Sequence, residues 1–357
     1  VNYSGINTST RFKYDLWQFF DHKIGRDKAF KWFLKPRKKL EQQLVKEIKG
    51  RDKGKNLGIK EVVYKDKDQI AKLIKENKPF VLRQLAKDWN CVQKWSPEYL
   101  RELHGEDEIV FVDNSDRKNN KFEITHLKDI IDNMNNGGAK YYRFYPLLRR
   151  HPEHVNDFDY KWLRHNSDRG VSKVEVFHTF IGGNQTETDI HCGFSSNFFT
   201  QAHGQKRWVM VGQEFTPIVD PFPGIRLTRS GNGYAGKPFS FFNPDYETYP
   251  GYEYVDYYDV TLDAGDVLYV PPFMYHNVIN LSPSIGVAYR WISYASAFRS
   301  SPLFFSMDMT MINPSIWKCF NMHAEDTNIV HLMDMGLIDD YIEENKKSEK
   351  PLRSVIK

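Results

Sequence analysis

The chain has 357 residues, 40% of them hydrophobic and 15% aromatic, enough for a sizeable core in one large domain with elaborations. A formal charge of +4 is too small to mark a nucleic-acid binder, no apolar run reaches membrane-span length, and the N-terminus lacks an apolar signal-like stretch. Three scattered cysteines (Cys91, Cys192, Cys319) suit neither a disulfide framework nor a zinc cluster, so a reducing cytoplasm is the expected compartment.

Residues 1–57 mix Phe19, Phe20, Phe30, Trp32, Phe33 and Leu34 with lysines and arginines, which predicts one or two amphipathic helices. Such a segment can pack on the main domain with a solvated basic face, or meet an acidic partner or a membrane surface. Residues 58–170 alternate strand and helix as elements flanking the core. Pro79–Leu82, Ile109–Val112 and Tyr141–Phe144 read as strands. Ser96 caps a helix that starts with Pro97, and Leu127 to Asn133 has helical spacing. Residues 171–300 break into short β-rich segments between Gly, Pro and Asn turns, as a sandwich or barrel requires. Residues 301–357 return to helical patterns, and Ile312 to Ile342 could pair two copies into a homodimer.

Two histidines carry the chemistry. His191 sits in Thr188-Asp189-Ile190-His191-Cys192-Gly193, and His276 closes the block that begins at Gly265-Asp266. Two strand-borne histidines far apart in sequence suit a non-haem iron site, which normally adds one carboxylate and leaves positions open. That carboxylate is expected two residues after the first histidine, on the same strand face, and Gly193 stands there instead. Asp189, two residues before His191, could share that face. Asp266 belongs to a Gly-Asp turn and reads as structural.

These segments, with Asn197-Phe198-Phe199, Gly204-Gln205-Lys206-Arg207 and Asn243-Pro244-Asp245-Tyr246, resemble the JmjC/cupin-like branch of the Fe(II)- and 2-oxoglutarate-dependent oxygenases, from about Pro79 to Trp291. The resemblance implies a mainly β fold, a double-stranded β-helix (jelly-roll) core with flanking helices. It implies His191 and His276 as iron ligands, Lys206 and Thr188 as partners of the distal carboxylate of 2-oxoglutarate, and Asn197 as a polar lining residue. It places Tyr142 as a further phenolic donor, and Tyr289 or Arg290 where a related hydroxylase has an asparagine.

Gly193 leaves three readings. The leading one is a halogenase: the iron/2-oxoglutarate halogenases carry Gly or Ala at this position, and chloride or another halide would bind beside it while a C–H bond of a small molecule is chlorinated. In the second, water or Asp189 is the third ligand and the enzyme hydroxylates a small molecule or a protein side chain. In the third, the chain is a binding protein that keeps the fold without turnover, against which the near-complete cosubstrate set of Lys206, Thr188 and Asn197 argues. The long insert from Asp220 to Tyr258, with Arg226, Arg229, Tyr234, Tyr246 and Tyr252, reads as a lid for a polar or carboxylated substrate, or as an ordinary aromatic cluster.

Overall fold

The computed structural model of the chain describes residues 4–24, 26–113, 122–145, 147–172, 175–222, 228–231 and 239–309. The chain opens with α1 (Thr8–Ile24) and α2 (Arg26–Ile48), the two helices that the basic aromatic segment predicts. Pro36 lies inside α2, and Phe33 just before it leaves helical geometry, since a proline ring displaces the carbonyl four residues back.

Next come β1 (Lys60–Val62), α3 (Lys67–Lys75), β2 (Phe80–Leu82), α4 (Asn90–Lys94), α5 (Pro97–His104), β3 (Glu108–Asp113), β4 (Phe122–His126), α6 (Leu127–Asn135), β5 (Lys140–Tyr145), α7 (Leu147–Arg150) and α8 (Tyr160–Asn166). Ser96 caps α5 as expected, its hydroxyl accepting from the Tyr99 amide at 3.1 Å. The β-rich part then runs β6 (Glu175–Gly182), β7 (Glu187–Gly193), β8 (Ser196–His203), β9 (Lys206–Val211), α9 (Thr216–Val219), β10 (Pro221–Phe222), β11 (Thr228–Gly231), β12 (Tyr258–Leu262), β13 (Val267–Val270), β14 (Tyr275–Asn280) and β15 (Ser284–Trp291). Two helices follow, α10 (Tyr294–Ser300) and α11 (Pro302–Met309). The dimer-forming segment expected at 312–342 lies outside the described residues, as does Cys319.

The strands form two sheets. One has nine strands in the order β1-β2-β13-β8-β15-β6-β5-β3-β4, and the other has six, β10-β11-β7-β14-β9-β12. The inner faces meet in an apolar layer of Val81, Tyr141, Phe180, Phe199, Leu268, Val270 and Ala288 from the large sheet against Trp208, Met210, Val260, Leu262 and Val278 from the small one. This is the jelly-roll core. The outer face of the large sheet carries a second core, where Phe177, Phe198, Tyr289 and Trp291 pack under the helices. Strand residues therefore alternate between two buried environments, and burial alone cannot tell which face a side chain takes. The strands of 58–145 extend the same sheet: β2 pairs with β13 and β5 with β6.

Asp266 is structural, as expected. Its carboxylate accepts from the Gln84 and Asp263 amides at 2.9 and 3.0 Å and from Arg83 at 2.6 Å, tying the turn before β13 to the end of β2.

Candidate active site

His276 pairs directly with His191 across β14 and β7, and their rings stand 4.2 Å apart between centroids. Each ring is fixed the same way. His191 Nδ1 lies 2.8 Å from the Asp189 carbonyl oxygen and His276 Nδ1 2.9 Å from that of Met274. A carbonyl can only accept, so both Nδ1 atoms carry the proton and both Nε2 atoms keep a lone pair. That is the tautomer a metal-binding histidine needs. Burial and the neighbouring His191 hold His276 well below the usual imidazole range, which keeps it neutral. Trp208 lies beside it, with centroids 5.3 Å apart.

Thr188 reaches the same inner face by an irregularity. It stands three residues before His191, a spacing that puts two residues of a regular strand on opposite faces. Between the two paired positions β14 advances two residues, from His276 to Val278, while β7 advances three, from His191 to Thr188. This bulge restores Thr188 to the interior, opposite the inward-facing Val278. The bulge lies between Thr188 and His191, so strand alternation alone assigns Asp189 to neither face. Among the described residues no third His, Cys, Asp or Glu joins the histidine pair in a group able to hold a metal, so Asp189 is not assembled as a third ligand. Gly193, two residues beyond His191 with no bulge between, shares its inner face.

Lys206 is 1% exposed and faces the interior in line with Trp208 and Met210. It pairs with Asn280 while Met210 pairs with His276, four residues along β9, so the lysine lies ~13 Å from the histidine level along the strand. The rings of Phe199, Phe180 and Tyr141 surround its ammonium at 5.1, 5.6 and 5.9 Å. Burial pushes its pKa down and the Tyr141 hydroxyl opposes this. Among the described residues it forms no ion pair with a carboxylate.

The phenol beside Lys206 is thus that of Tyr141 and not of Tyr142. Tyr142 faces the outer core with Phe177 and Tyr289, whereas Tyr141 belongs to the inner layer and bonds Lys206. One step of strand parity separates the expectation from the structure. The last strand is decided by the same parity. Tyr289 faces outward and donates to Glu175 at 2.8 Å, while Arg290, in line with the inward Ala288, enters the interior. Burial brings the Arg290 pKa down to about 10. Asn197, paired with Arg290, faces the same interior, and its Oδ1 is buried without a hydrogen-bond partner.

This donor set fits Fe(II) with 2-oxoglutarate. Two neutral imidazoles offer lone pairs to the metal, and a buried ammonium wants a carboxylate.

The insert bears on the site through β11, where Ser230 pairs with His191 and Thr228 with Gly193. Within the part of it that is described, Tyr252 stacks on Phe239 at 3.9 Å and is 4% exposed, while Tyr246 is 40% exposed. Phe239, Phe241, Tyr249 and Tyr252 thus form an aromatic cluster. Arg226 and Tyr234 lie outside the described residues, and the Arg229 side chain is not described.

The cupin-like domain model matches residues 67–296. The chain is 25% identical over 225 residues to lysine-specific demethylase 8 of Xenopus tropicalis, covering 60% of this chain and 48% of that protein. It is 25% identical over 241 residues to JmjC domain-containing protein D of Dictyostelium discoideum, covering 60% and 51%. Against tRNA wybutosine-synthesizing protein 5 of Mus musculus it is 23% identical over 245 residues, covering 61% and 72%. It spans about half the length of the first two relatives.

Proposed function

The chain belongs to the family of cupin-like, JmjC-type proteins, and on that premise we propose that it is an Fe(II)- and 2-oxoglutarate-dependent oxygenase acting on a C–H bond. The observation that carries this reading is the facing pair His191–His276, each with Nδ1 on a carbonyl and Nε2 turned to the interior that also buries Lys206. Iron with 2-oxoglutarate supplies dioxygen activation there, at the expense of the cosubstrate carboxyl group. Lys206 holds the distal carboxylate, with the hydroxyls of Tyr141 and Thr188 donating to it. Asn197 and Arg290 line the opposite wall, and the apolar layer around Trp208 and Phe199 keeps water out. The near-neutral charge of the chain favours a small molecule as substrate over a nucleic acid.

Anaerobic addition of Fe(II) and 2-oxoglutarate should produce the visible metal-to-ligand charge-transfer band of such complexes. An undiminished band in His191→Ala, or none in the wild type, would sink the assignment.

One observation favours a halide as the third ligand. No acid joins the pair among the described residues, Gly193 stands on the ligand face, and Lys206 and Arg290 leave the interior rich in cations that an added anion would offset. The relatives' names speak of demethylation and wybutosine synthesis and lend chlorination no support. Turnover of a substrate panel with and without chloride separates the outcomes. Chlorinated product, lost in Gly193→Asp, marks a halogenase. Hydroxylated product that ignores chloride marks a hydroxylase with water in that position. No succinate from any substrate, together with tight ligand binding, marks a binding protein.

A further inference from the structure

Asn277 lies between His276 and Val278 in β14, opposite the bulge of β7, where Asp189 and Ile190 together face this one residue. Strand alternation turns its side chain away from the inner layer that takes Met274 and Val278. It lies instead on the outer side of the small sheet, with Tyr275, and is fully buried. Its amide is fixed by three hydrogen bonds. Nδ2 donates to Glu187 Oε1 and to the Thr188 carbonyl oxygen, both at 2.8 Å, and Oδ1 accepts from the Phe241 amide at 2.8 Å. A carboxylate and a carbonyl can only accept and a backbone amide can only donate, so the amide has one orientation.

A bulge takes backbone groups out of the regular ladder. Here side chains take up the carbonyls. Asn277 holds that of Thr188, and His191 Nδ1 holds that of Asp189. The peptide unit after Thr188 is planar, so a fixed carbonyl oxygen constrains the backbone of Thr188 and with it the direction in which the hydroxyl leaves the strand. Through Phe241 the same amide ties the bulge to the 239–242 segment of the insert. A buried amide in an apolar cluster is costly unless its bonds are made, and these bonds all converge on the bulge and its neighbour.

We propose that Asn277 is a positioning residue for cosubstrate binding: it holds the β7 bulge in the form that presents the Thr188 hydroxyl to the distal carboxylate of 2-oxoglutarate. The inference rests on the oxygenase reading, in which Thr188 is that donor. Asn277 acts through Thr188 and from the other face of the sheet, without touching the cosubstrate.

Anaerobic titration of the Fe(II)-loaded full chain with 2-oxoglutarate, followed by the charge-transfer band, tests it. Thr188→Val removes the hydroxyl and keeps the carbonyl that Asn277 holds, and it should weaken 2-oxoglutarate about ten-fold. Asn277→Ala should weaken it by a similar factor, and the double variant should bind no more weakly than the weaker single one, because both changes remove the same contact. A residue that served only the stability of the sheet would give losses that multiply. The inference is overturned if they multiply, if Asn277→Ala binds like the wild type, or if Thr188→Val does. Should Asn277→Ala not unfold cooperatively in urea, hydrogen exchange at the Phe241 amide gives the same test without touching Asn277. Coupling is reciprocal, so saturating 2-oxoglutarate with Mn(II) should slow that exchange in the wild type and slow it less in Thr188→Val. No slowing, or equal slowing in both, overturns the inference. Absence of the band in the wild type is a different result: it sinks the oxygenase reading, and this inference falls with it.

Discussion

Lys206 is destabilising where it stands. A buried ammonium without a carboxylate loses its hydration and gains only three ring faces and a tyrosine hydroxyl. Its folded pKa lies below the unfolded value of 10.5. The folded state therefore binds fewer protons in the window between those two values, and stability should rise with pH across that window. Replacing the lysine by an apolar side chain of similar length removes the cost, so Lys206→Met should raise the stability of the cosubstrate-free protein by about 1–3 kcal/mol. 2-Oxoglutarate with Mn(II) should stabilise the wild type, and the same variant should lose that effect. Urea unfolding with and without the cosubstrate reads both effects, and a variant that is less stable alone yet still stabilised by 2-oxoglutarate would contradict this role. The lysine was legible in the sequence through its block. The neighbouring phenol was not, because Tyr141 and Tyr142 are both aromatic, adjacent and 2% exposed, and only strand register separates them.

The elements show why parity failed. The strands Phe80–Leu82, Glu108–Asp113 and Lys140–Tyr145 and the cap at Ser96 follow from local chemistry and were readable. The bulge in β7 has no such mark: it exists because β14 and β7 pair around it, a long-range fact. The same holds for a histidine cluster that local pattern does not reveal. His104 at the end of α5 lies 2.7 Å, Nε2 to Nε2, from His154 in the 3-10 turn Pro152–Asp157, and its ring stacks on His151 at 3.6 Å. Asp157 accepts from His154 Nδ1 and from Trp95, and Asp107 binds His151. Burial, with the neighbouring His151 and His154, brings the His104 pKa down to about 4 from 6.5. A depressed folded pKa means that the unfolded state binds the proton first. The stability is full above pH 6.5 and is lost as pH falls from there towards 4. For His104 alone the loss between pH 7 and pH 5 should be about 2 kcal/mol. His104→Phe keeps the stacking and removes the titration, so its urea midpoint should fall less over that interval than that of the wild type. Parallel curves for the two proteins would refute the assignment.

Across the whole molecule, attachment is uneven. The two sheets share an inner layer and the large sheet has its own outer core, so β8, β14 and β15 are buried on both sides. The N-terminal helices hold on by much less. Their own buried cluster is Ile6, Tyr14, Leu40 and Leu44, packed against Ile218. Ile48 at the end of α2 enters the core under the small sheet, and polar ties run from Arg11 to the Glu214 carbonyl at 3.1 Å and from Tyr14 to Asp220. Among the described residues, seven of the thirteen exposed large hydrophobic side chains, from Phe12 to Leu34, lie on these two helices, so separating them from the core uncovers little new apolar surface. Opening free energy scales with the apolar area exposed. The amides of α1 and of α2 up to about Leu40 should therefore exchange hydrogen through a partial opening well below the global unfolding free energy. Those of β8, β14 and β15 should exchange only when the whole domain unfolds. Native-state exchange followed by mass spectrometry across low denaturant distinguishes the two groups, and equal opening energies for α1 and β14 would show that the helices are an integral part of one cooperative core.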